Sequence, residues 1–346
     1  MREKNLVYIT IDSLRYDHLS INGYNRKTDS HLSKFTKEGR IFMNAFANGS
    51  NTETSFPSIL SFQKKLSHET VFISEVLKSH GYSTVGTHSN PYLRLYQKGF
   101  QVFCDLEEVQ VDFNSDSYVS FRYALKSIIE KLLPYHSIRR ESVYELSKLY
   151  QFFIAQKRTP YANAEVVNEK ALFFVKKAKP PFFLWLHYMD VHMPYLPPLE
   201  YRPSSDTFTT YLLNQRLLKA CAKKSGNIFS KSELQKLIDL YDGSIRYLDK
   251  QIGLLIVELE KMGINQDNTV FIFTSDHGDE FGDYGGIGHP PFRDNESLLH
   301  VPLMMVGPNI QREHVEEKIT LDYINPNILK LLDLPIPEKV KSKVLF

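Results

Sequence analysis

Two segments far apart in the chain each place a carboxylate shortly after an apolar run. Asp12 follows Leu6–Ile11, and the pair Asp276 and His277 closely follows Thr269–Phe273. In open parallel α/β sheets, ligands bind beyond the carboxyl ends of the strands, so these three side chains are expected to converge. Two carboxylates and an imidazole suit a divalent cation with open coordination positions. The alternative is that each aspartate only caps the turn or helix that follows it.

A hydroxyl-rich segment, Asn51–Leu60, is typical of a loop that enters a helix. Pro57 suits the first turn of a helix, where its missing N–H costs nothing. Ser55 is then expected at the helix N-terminus, where backbone N–H groups and the helix dipole favour anions. A hydroxyl that contacts a metal ion there could lose its proton and attack phosphorus or sulfur. Thr54 is the second candidate for this role, and the alternative for Ser55 is a plain N-cap.

A third apolar run, Pro181–His187, predicts another strand, and Asp190 and His192 follow it. Their side chains could point into the same crevice. His289 lies in the glycine-rich segment GGIGHP, whose backbone can approach a ligand closely. The alternatives are that His187 is a structural histidine with satisfied hydrogen bonds and that His289 is an idle loop residue.

The rest of the chain alternates predicted strands with predicted helices and contains no internal repeat or low-complexity linker, which favours one domain over residues 1–346. Leu234–Met262 has the apolar spacing of one long amphipathic helix that ends at Gly263. Tyr195–Lys231 predicts a long loop with short helices. Residues 112–159 break the α/β rhythm and predict a helical insertion near the site, either a lid or a solvated hairpin with no role.

Composition limits the class of protein further. The chain has 346 residues, a formal net charge of +2 and two cysteines, Cys104 and Cys221. This length can bury an ample core, the small charge gives no case for nucleic-acid binding, and two distant cysteines predict no disulfide framework. No apolar run approaches the ~20 residues of a membrane span, and no signal-peptide pattern precedes the first strand. These features predict a cytoplasmic protein without a membrane span.

Six segments resemble, in order, the motifs of the sulfatase family within the alkaline-phosphatase-like superfamily. They are ITIDSLRYDHLS, SFPS, PFFLWLHYMDVHMPYLPP, YDGSIRYLDKQIGLLIVELEKMG, TSDHGDEFGDYGGIGHPPFRDNESLLHVPLMMVGP and ITLDYINPNILKLLDLPIP. The ordered series touches most of the chain and is specific, so the chain is identified as a member of this family.

The resemblance implies a fold and an activity. The fold is α/β: an alkaline-phosphatase-like three-layer α/β/α sandwich with a mostly parallel central sheet. The activity is metal-dependent hydrolysis of sulfate or phosphate esters through a covalent intermediate on a loop hydroxyl. The implied partner is a small-molecule or glycan ester.

The resemblance also assigns roles to residues. One divalent ion, either Ca, Mn, Zn or Mg, is expected at Asp12, Asp276, His277 and the nucleophile Ser55. His192 and His289 are expected to offset charge on the ester and to protonate the leaving oxygen. In two-metal members of the superfamily an Asp and two His bind a second cation. Asp190, His192 and His289 could mimic that set, but their spacing favours a single ion. Four other side chains are expected near the substrate: Thr54, His88, His187 and Asp190.

Three positions depart from the family pattern. The family usually has a second aspartate where Ser13 stands, and its Ser-x-Pro-Ser-Arg motif has Ile59 in place of arginine. A separate enzyme reads that arginine when it oxidises the nucleophile to formylglycine, so Ser55 is expected to stay unmodified. The family lysine is absent from Gly86–Ser89. Members usually carry a further small antiparallel subdomain after the last motif, and that subdomain is expected to be missing.

Two other functions remain open at this stage. One is a phosphotransferase or phosphodiesterase that acts on glycan or lipid head groups with an unmodified hydroxyl. The other is a non-catalytic descendant that keeps the fold and binds a partner. The intact Asp and His set argues against loss of catalysis, whereas the missing arginine, lysine and aspartate argue for such a loss or for a changed substrate.

Overall fold

The computed structural model describes residues 4–106, 161–203, 207–223 and 228–345, and the predicted insertion at 112–159 lies outside these ranges. Within them, strands and helices alternate along the chain. The strands are β1 (Asn5–Ile11), β2 (Arg40–Phe42), β3 (Ala45–Phe46), β4 (Ser83–His88), β5 (Val102–Asp105), β6 (Phe182–Tyr188), β7 (Thr269–Ser275), β8 (Glu280–Phe281), β9 (Ile287–Gly288), β10 (Leu303–Val306), β11 (Glu313–Val315) and β12 (Ile319–Thr320).

The helices cover both faces of the sheet. They are α1 (Ser30–Thr36), α2 (Thr52–Leu60), α3 (Ile73–Ser79), α4 (Ala164–Val175), α5 (Thr207–Ala222), α6 (Lys231–Lys261), α7 (Glu296–Leu299) and α8 (Ile324–Leu331). None of the helices in the described ranges is long and apolar enough to cross a membrane.

The central sheet has eight strands in the order β11-β2-β10-β7-β1-β6-β4-β5. β1 lies between β6 and β7 and pairs in parallel with both, and β4 continues the parallel run to β5. Only β10 runs against its neighbours, β7 and β2. Since the central strands are parallel, their carboxyl ends lie at one edge of the sheet, where a site can form.

Two apolar layers pack against opposite faces of this sheet. Alternate side chains of a strand point to opposite faces, so Val7 and Ile9 contribute to one layer while Leu6 and Tyr8 contribute to the other. The first layer includes buried side chains from α4 and α6, and the second includes those from α2, α3 and α8. The structure therefore confirms the predicted three-layer α/β/α sandwich with a mostly parallel sheet.

The predicted long helix forms as α6 and ends next to Gly263, which has a φ of 77°. The prediction of a long loop with short helices at Tyr195–Lys231 is wrong in part, because the middle of this segment forms the sixteen-residue helix α5. Tyr211, Asn214 and Leu217 are buried on one side of that helix at spacings of three residues. Asn214 is a polar residue on the buried side, which hides the helical pattern in the sequence; its side-chain amide accepts from the Tyr195 N–H at 2.7 Å.

Candidate active site

The strand ends bring Asp12, Asp276 and His277 together, as their sequence positions predict. One ligand atom from each residue lies within 4.8 Å of those of the other two, and all three side chains are buried. Asp12 follows β1 directly, and Asp276 follows the adjacent strand β7. Ligands bound to one divalent ion at 2.0–2.6 Å lie within roughly 5 Å of one another, so the separation suits a shared ion.

Local hydrogen bonds fix the orientation of these three side chains. Ser13 has a φ of 61°; its N–H donates to Asp276 Oδ1 at 3.3 Å and its hydroxyl to Asp12 Oδ1 at 2.9 Å. His277 places Nδ1 2.8 Å from the Gly278 carbonyl oxygen, which can only accept. Nδ1 therefore carries the proton, and Nε2 presents a lone pair toward the carboxylates, as in many metal-binding histidines.

The charges of the cluster fit a cation. Burial and the neighbouring Asp12 carboxylate raise the pKa of Asp276 to about 8. Burial opposes ionisation of Asp12 as well, but His192, His187 and His277 hold the pKa of Asp12 well below its usual range. Asp276 Oδ2 is buried without a hydrogen-bond partner. A divalent ion would supply that partner and would offset the repulsion between the two carboxylates.

Thr52, rather than Ser55, supplies the hydroxyl beside these ligands. Thr52 Oγ1 lies 3.3 Å from both Asp12 Oδ2 and His277 Nε2. Ser55 lies one helical turn further along α2, where its Oγ is fully buried and has no hydrogen-bond partner. The sequence-based assignment of Ser55 to this position is therefore corrected by three residues.

The correction follows from where the helix begins. Asn51 is the N-cap of α2 and accepts from the Thr54 N–H at 3.1 Å, so Thr52 is the first helical residue. Pro57 lies inside the helix instead of in its first turn. Asn51 is a strong capping residue immediately before the helix, and this was the signal that could have placed the hydroxyl correctly. In the new register Phe56, which is buried, stands at the family arginine position.

His187 on the neighbouring strand β6 and Asn90 in the segment after β4 support Asp12. Asn90 Nδ2 donates to Asp12 Oδ2 at 3.0 Å, and His187 Nε2 lies 3.4 Å from the same oxygen. His187 Nδ1 lies 2.9 Å from Thr10 Oγ1 on the adjacent strand. The sequence placed His187 near the substrate, whereas the structure places it against a candidate metal ligand; Asn90 was missed because its segment carries no recognisable motif.

Two more histidines lie next to the cluster. His289 Nδ1 lies 2.8 Å from Asp279 Oδ1, and the Tyr195 hydroxyl donates to Asp279 Oδ2. Burial lowers the pKa of His289, but Asp279 more than offsets this and raises it to about 8. His192 directs Nδ1 to the Met193 carbonyl oxygen at 2.6 Å, and burial lowers the pKa of His192 to about 4.

These groups face a cavity of about 560 Å³. Thr52, His192 and His289 line it together with Arg293. The His289 ring centroid lies 4.6 Å from that of His277 and 4.9 Å from that of His192, so the three rings form a row. The cavity thus offers one hydroxyl, two imidazoles and a guanidinium to an anionic ester.

Three predicted site residues lie elsewhere. Asp190 Oδ1 accepts from the Ala164 N–H at 3.0 Å and so binds the first residue of α4 instead of joining His192 and His289 in a second metal set. His88 packs against Phe103 and Trp185 and has no hydrogen-bond partner. Thr54 hydrogen-bonds Asn51 and does not line the cavity. Asp190 and Thr54 are assigned from their positions near a predicted strand end or hydroxyl loop and His88 from the family resemblance, and neither basis fixes where a side chain points.

A family model for the sulfatases matches residues 4–334. The chain belongs to the sulfatase family. An arylsulfatase from Clostridium perfringens (strain 13 / Type A) is 26% identical over 381 residues, which cover 98% of this chain and 76% of that protein. The arylsulfatase K of Canis lupus familiaris is 27% identical over 159 residues, which cover 45% of this chain and 27% of that protein.

A solved structure agrees with this membership. The phosphonate monoester hydrolase of Agrobacterium radiobacter superposes with a TM-score of 0.68 at 17% identity, over 96% of this chain and 74% of that one. At this identity the likeness shows the fold alone. The fold is the alkaline-phosphatase-like sandwich that the sequence motifs predict.

Proposed function

We propose that this protein is a metal-dependent hydrolase of phosphate and sulfate esters in which the Thr52 hydroxyl is the nucleophile. The observation that carries the proposal is the position of Thr52 Oγ1, 3.3 Å from an oxygen of Asp12 and 3.3 Å from Nε2 of His277. This hydroxyl also lines the cavity that contains His192 and His289.

Asp12, Asp276 and His277 would hold the metal ion. Bound there, a divalent ion would lower the pKa of a coordinated hydroxyl and offset charge on the non-bridging ester oxygens. Ca²⁺ and Mg²⁺ prefer shells of oxygen, and the imidazole of His277 therefore favours Mn²⁺ or Zn²⁺.

The chain's own groups account for the remaining steps. Thr52 Oγ gives up its proton to solvent and forms a bond to phosphorus while the bond from phosphorus to the leaving alcohol oxygen breaks. Backbone N–H groups at the start of α2 favour the anionic phosphoryl group. With its raised pKa, His289 carries a proton at neutral pH and can donate it to the leaving oxygen. His192 is neutral at that pH. It can accept a proton from the water that attacks phosphorus in the second step, which breaks the bond between phosphorus and Thr52 Oγ.

The identity of the hydroxyl favours phosphate over sulfate. Formylglycine is an aldehyde, and threonine carries a methyl group on Cβ, so its oxidation would give a ketone instead. An unmodified hydroxyl forms a sulfated intermediate that is released slowly, because it has no second hydroxyl with which to expel sulfate. The same hydroxyl is a workable nucleophile for phosphoryl transfer.

The test is a panel of aryl phosphate, aryl phosphonate and aryl sulfate esters assayed in Mn²⁺, together with acid quenching and peptide mass spectrometry. We expect phosphate or phosphonate esters to turn over at least 100-fold faster than the sulfate ester. Quenched enzyme should carry a phosphoryl group at Thr52. Faster turnover of the sulfate, or a phosphoryl group on another residue, would contradict the proposal.

A further inference from the structure

A second cavity opens on the other side of the helix start that carries Thr52. It has a volume of about 720 Å³, compared with about 560 Å³ for the catalytic cavity. Thr52, Glu53 and Tyr92 line both cavities. The two spaces therefore adjoin at the nucleophile. We call the second space the α2 groove.

The α2 groove is apolar where a surface groove is usually polar. Leu66, Leu95 and Phe292 line it, and their side chains are 38%, 55% and 89% exposed, respectively. Phe292 also has a φ of 65°, a conformation that bulky residues rarely adopt. Contiguous exposed apolar groups on a soluble protein mark binding grooves more often than they occur by chance.

The charged groups of the α2 groove offset one another. Lys64 and Lys65 line it, and so do Glu53 and Asp294. Lys64 additionally lies 3.8 Å from the buried carboxylate of Asp322. The groove therefore presents no net formal charge to an occupant and, unlike the catalytic cavity, is lined by no histidine. Its chemistry favours an uncharged, apolar extension of the substrate over a second anionic group.

We propose that the α2 groove binds the alkyl chain of an amphiphilic phosphate ester whose phosphoryl group lies at Thr52. The proposal rests on the proposed function only in placing the phosphoryl group there. An extended chain suits the groove, because the groove is larger than the cavity that holds the head group and shares Thr52 with it. Burial of methylene groups against Leu95 and Phe292 supplies the affinity.

The test measures binding without turnover. Linear n-alkylphosphonates from methyl to decyl have no ester bond to break, so calorimetric titration below their micelle concentrations reports affinity alone. With Mn²⁺ present, we expect affinity to rise by up to about fourfold per added methylene, the limit set by ~0.8 kcal/mol per buried CH₂. Leu95→Asp and Phe292→Ser should flatten this dependence and leave methylphosphonate binding unchanged.

Leu254→Asp is the matched control. Leu254 is 50% exposed on α6 and does not line the groove, so its variant should keep the wild-type dependence on chain length. Affinity that does not change with chain length, or a dependence that survives both groove variants, would overturn the proposal. Phenylphosphonate that binds as tightly as octylphosphonate would overturn it too, as would a dimer in sedimentation experiments that Leu95→Asp dissociates.

The two proposals fail in different ways. Chain-length-dependent binding with no turnover of any ester would refute the proposed hydrolase and would keep the groove assignment. Turnover of short aryl phosphates with no chain-length dependence would keep the hydrolase and would refute the groove.

Discussion

The side chain that meets the candidate metal ligands is a secondary alcohol. Thr52 Oγ1 contacts Asp12 and His277, while the neighbouring hydroxyls of Thr54 and Ser55 do not. A methyl group on the same carbon prevents oxidation to formylglycine, so under the proposed function the hydroxyl reacts as it is translated. Serine could replace it with the same donor atom, but alanine could not.

Thr52→Ala should reduce kcat by at least 10³-fold, because the nucleophile is lost. Thr52→Ser should retain activity within about tenfold. The matched control is Ser55→Ala, one turn along the same helix, which should retain near-wild-type kcat. Steady-state kinetics on an aryl phosphate measures all three, and an inactive Ser55→Ala enzyme that is folded by circular dichroism would restore the original register.

The pH dependence of catalysis should show the ionisation of His289. Its pKa is raised to about 8 by Asp279, so the protonated form predominates at neutral pH and is lost as pH rises above 8. We expect kcat/KM for substrates with poor leaving groups to fall above about pH 8 because the proton donor is lost.

Asp279→Asn provides the comparison for this pH limb. It keeps an acceptor for Nδ1 of His289 but removes the charge that raises its pKa. The alkaline limb of the profile should therefore move to lower pH in this variant. An unchanged profile from pH 6 to 10 would rule out His289 as the proton donor.

At the scale of elements, strand ends could be predicted from sequence and the start of α2 could not. Apolar runs locate β1 and β7 because every residue in both strands is buried. The aspartates that follow them are fixed by chain connectivity alone. Two signals predict different starts for this helix: Asn51 as an N-cap and Pro57 as a first-turn residue. Asn51 sets the start, because its side chain accepts the Thr54 N–H.

Asp190 shows a second limit of sequence reasoning. It lies within a site motif, but its carboxylate accepts a hydrogen bond from the backbone N–H of Ala164 at the start of α4. That contact joins residues 26 positions apart, and the packing that creates it leaves no local pattern in the sequence. Burial raises the pKa of Asp190 to about 7, and its Oδ2 has no hydrogen-bond partner.

Asp190 should make stability depend on pH. Because its pKa is raised in the folded state, its favourable contribution is fully present below about pH 4 and is lost as pH rises through 7. Asp190→Asn keeps the acceptor for Ala164 and removes the ionisation. The free energy of unfolding of this variant at pH 7.5 should therefore exceed that of wild type by roughly 1–2 kcal/mol. This is less than the full pKa shift of Asp190 would give, because the side chain is only half-buried.

Glu169→Gln is the control on the same helix, since Glu169 is exposed on α4. Urea unfolding at pH 5 and pH 7.5 should give the same difference for Glu169→Gln as for wild type. If the difference in free energy of unfolding between wild type and Asp190→Asn is the same at both pH values, Asp190 does not have a raised pKa in the folded protein.

At the scale of the whole molecule, the candidate metal ligands join two neighbouring central strands. Asp12 follows β1 and Asp276 follows β7, and the fully buried carboxylates repel one another unless a proton or cation lies between them. The overall sandwich was predictable because its signals are spread along the chain. The balance of charge between Asp12 and Asp276 could not be predicted, because it depends on separations of a few ångströms.

Metal removal should therefore lower the melting temperature. A ligand at 100 times its Kd stabilises a protein by about 2.7 kcal/mol, which corresponds to a shift of several degrees. We expect Mn²⁺ to raise the Tm of the chelator-treated wild type by that amount. Asp276→Asn should show little response to Mn²⁺, and its metal-free Tm should equal or exceed that of metal-free wild type because one buried charge is gone.

A Tm of Asp276→Asn that responds to Mn²⁺ as wild type does would place the ion elsewhere. Asp267→Asn is a suitable control, because Asp267 is exposed on the turn before β7 and lies outside the cluster.

β1 lies between two other strands of the central sheet, where substitutions are poorly tolerated. The rims of the two cavities can vary more freely. β1 pairs with β6 on one side and β7 on the other and is buried on both faces, so a substitution there disturbs two neighbouring strands and both apolar layers before it reaches a substrate. The rims of the two cavities include surface loops such as residues 64–66 and 291–294, where exchange costs little stability. Divergence among such proteins should therefore change which esters are accepted long before it changes how they are cleaved.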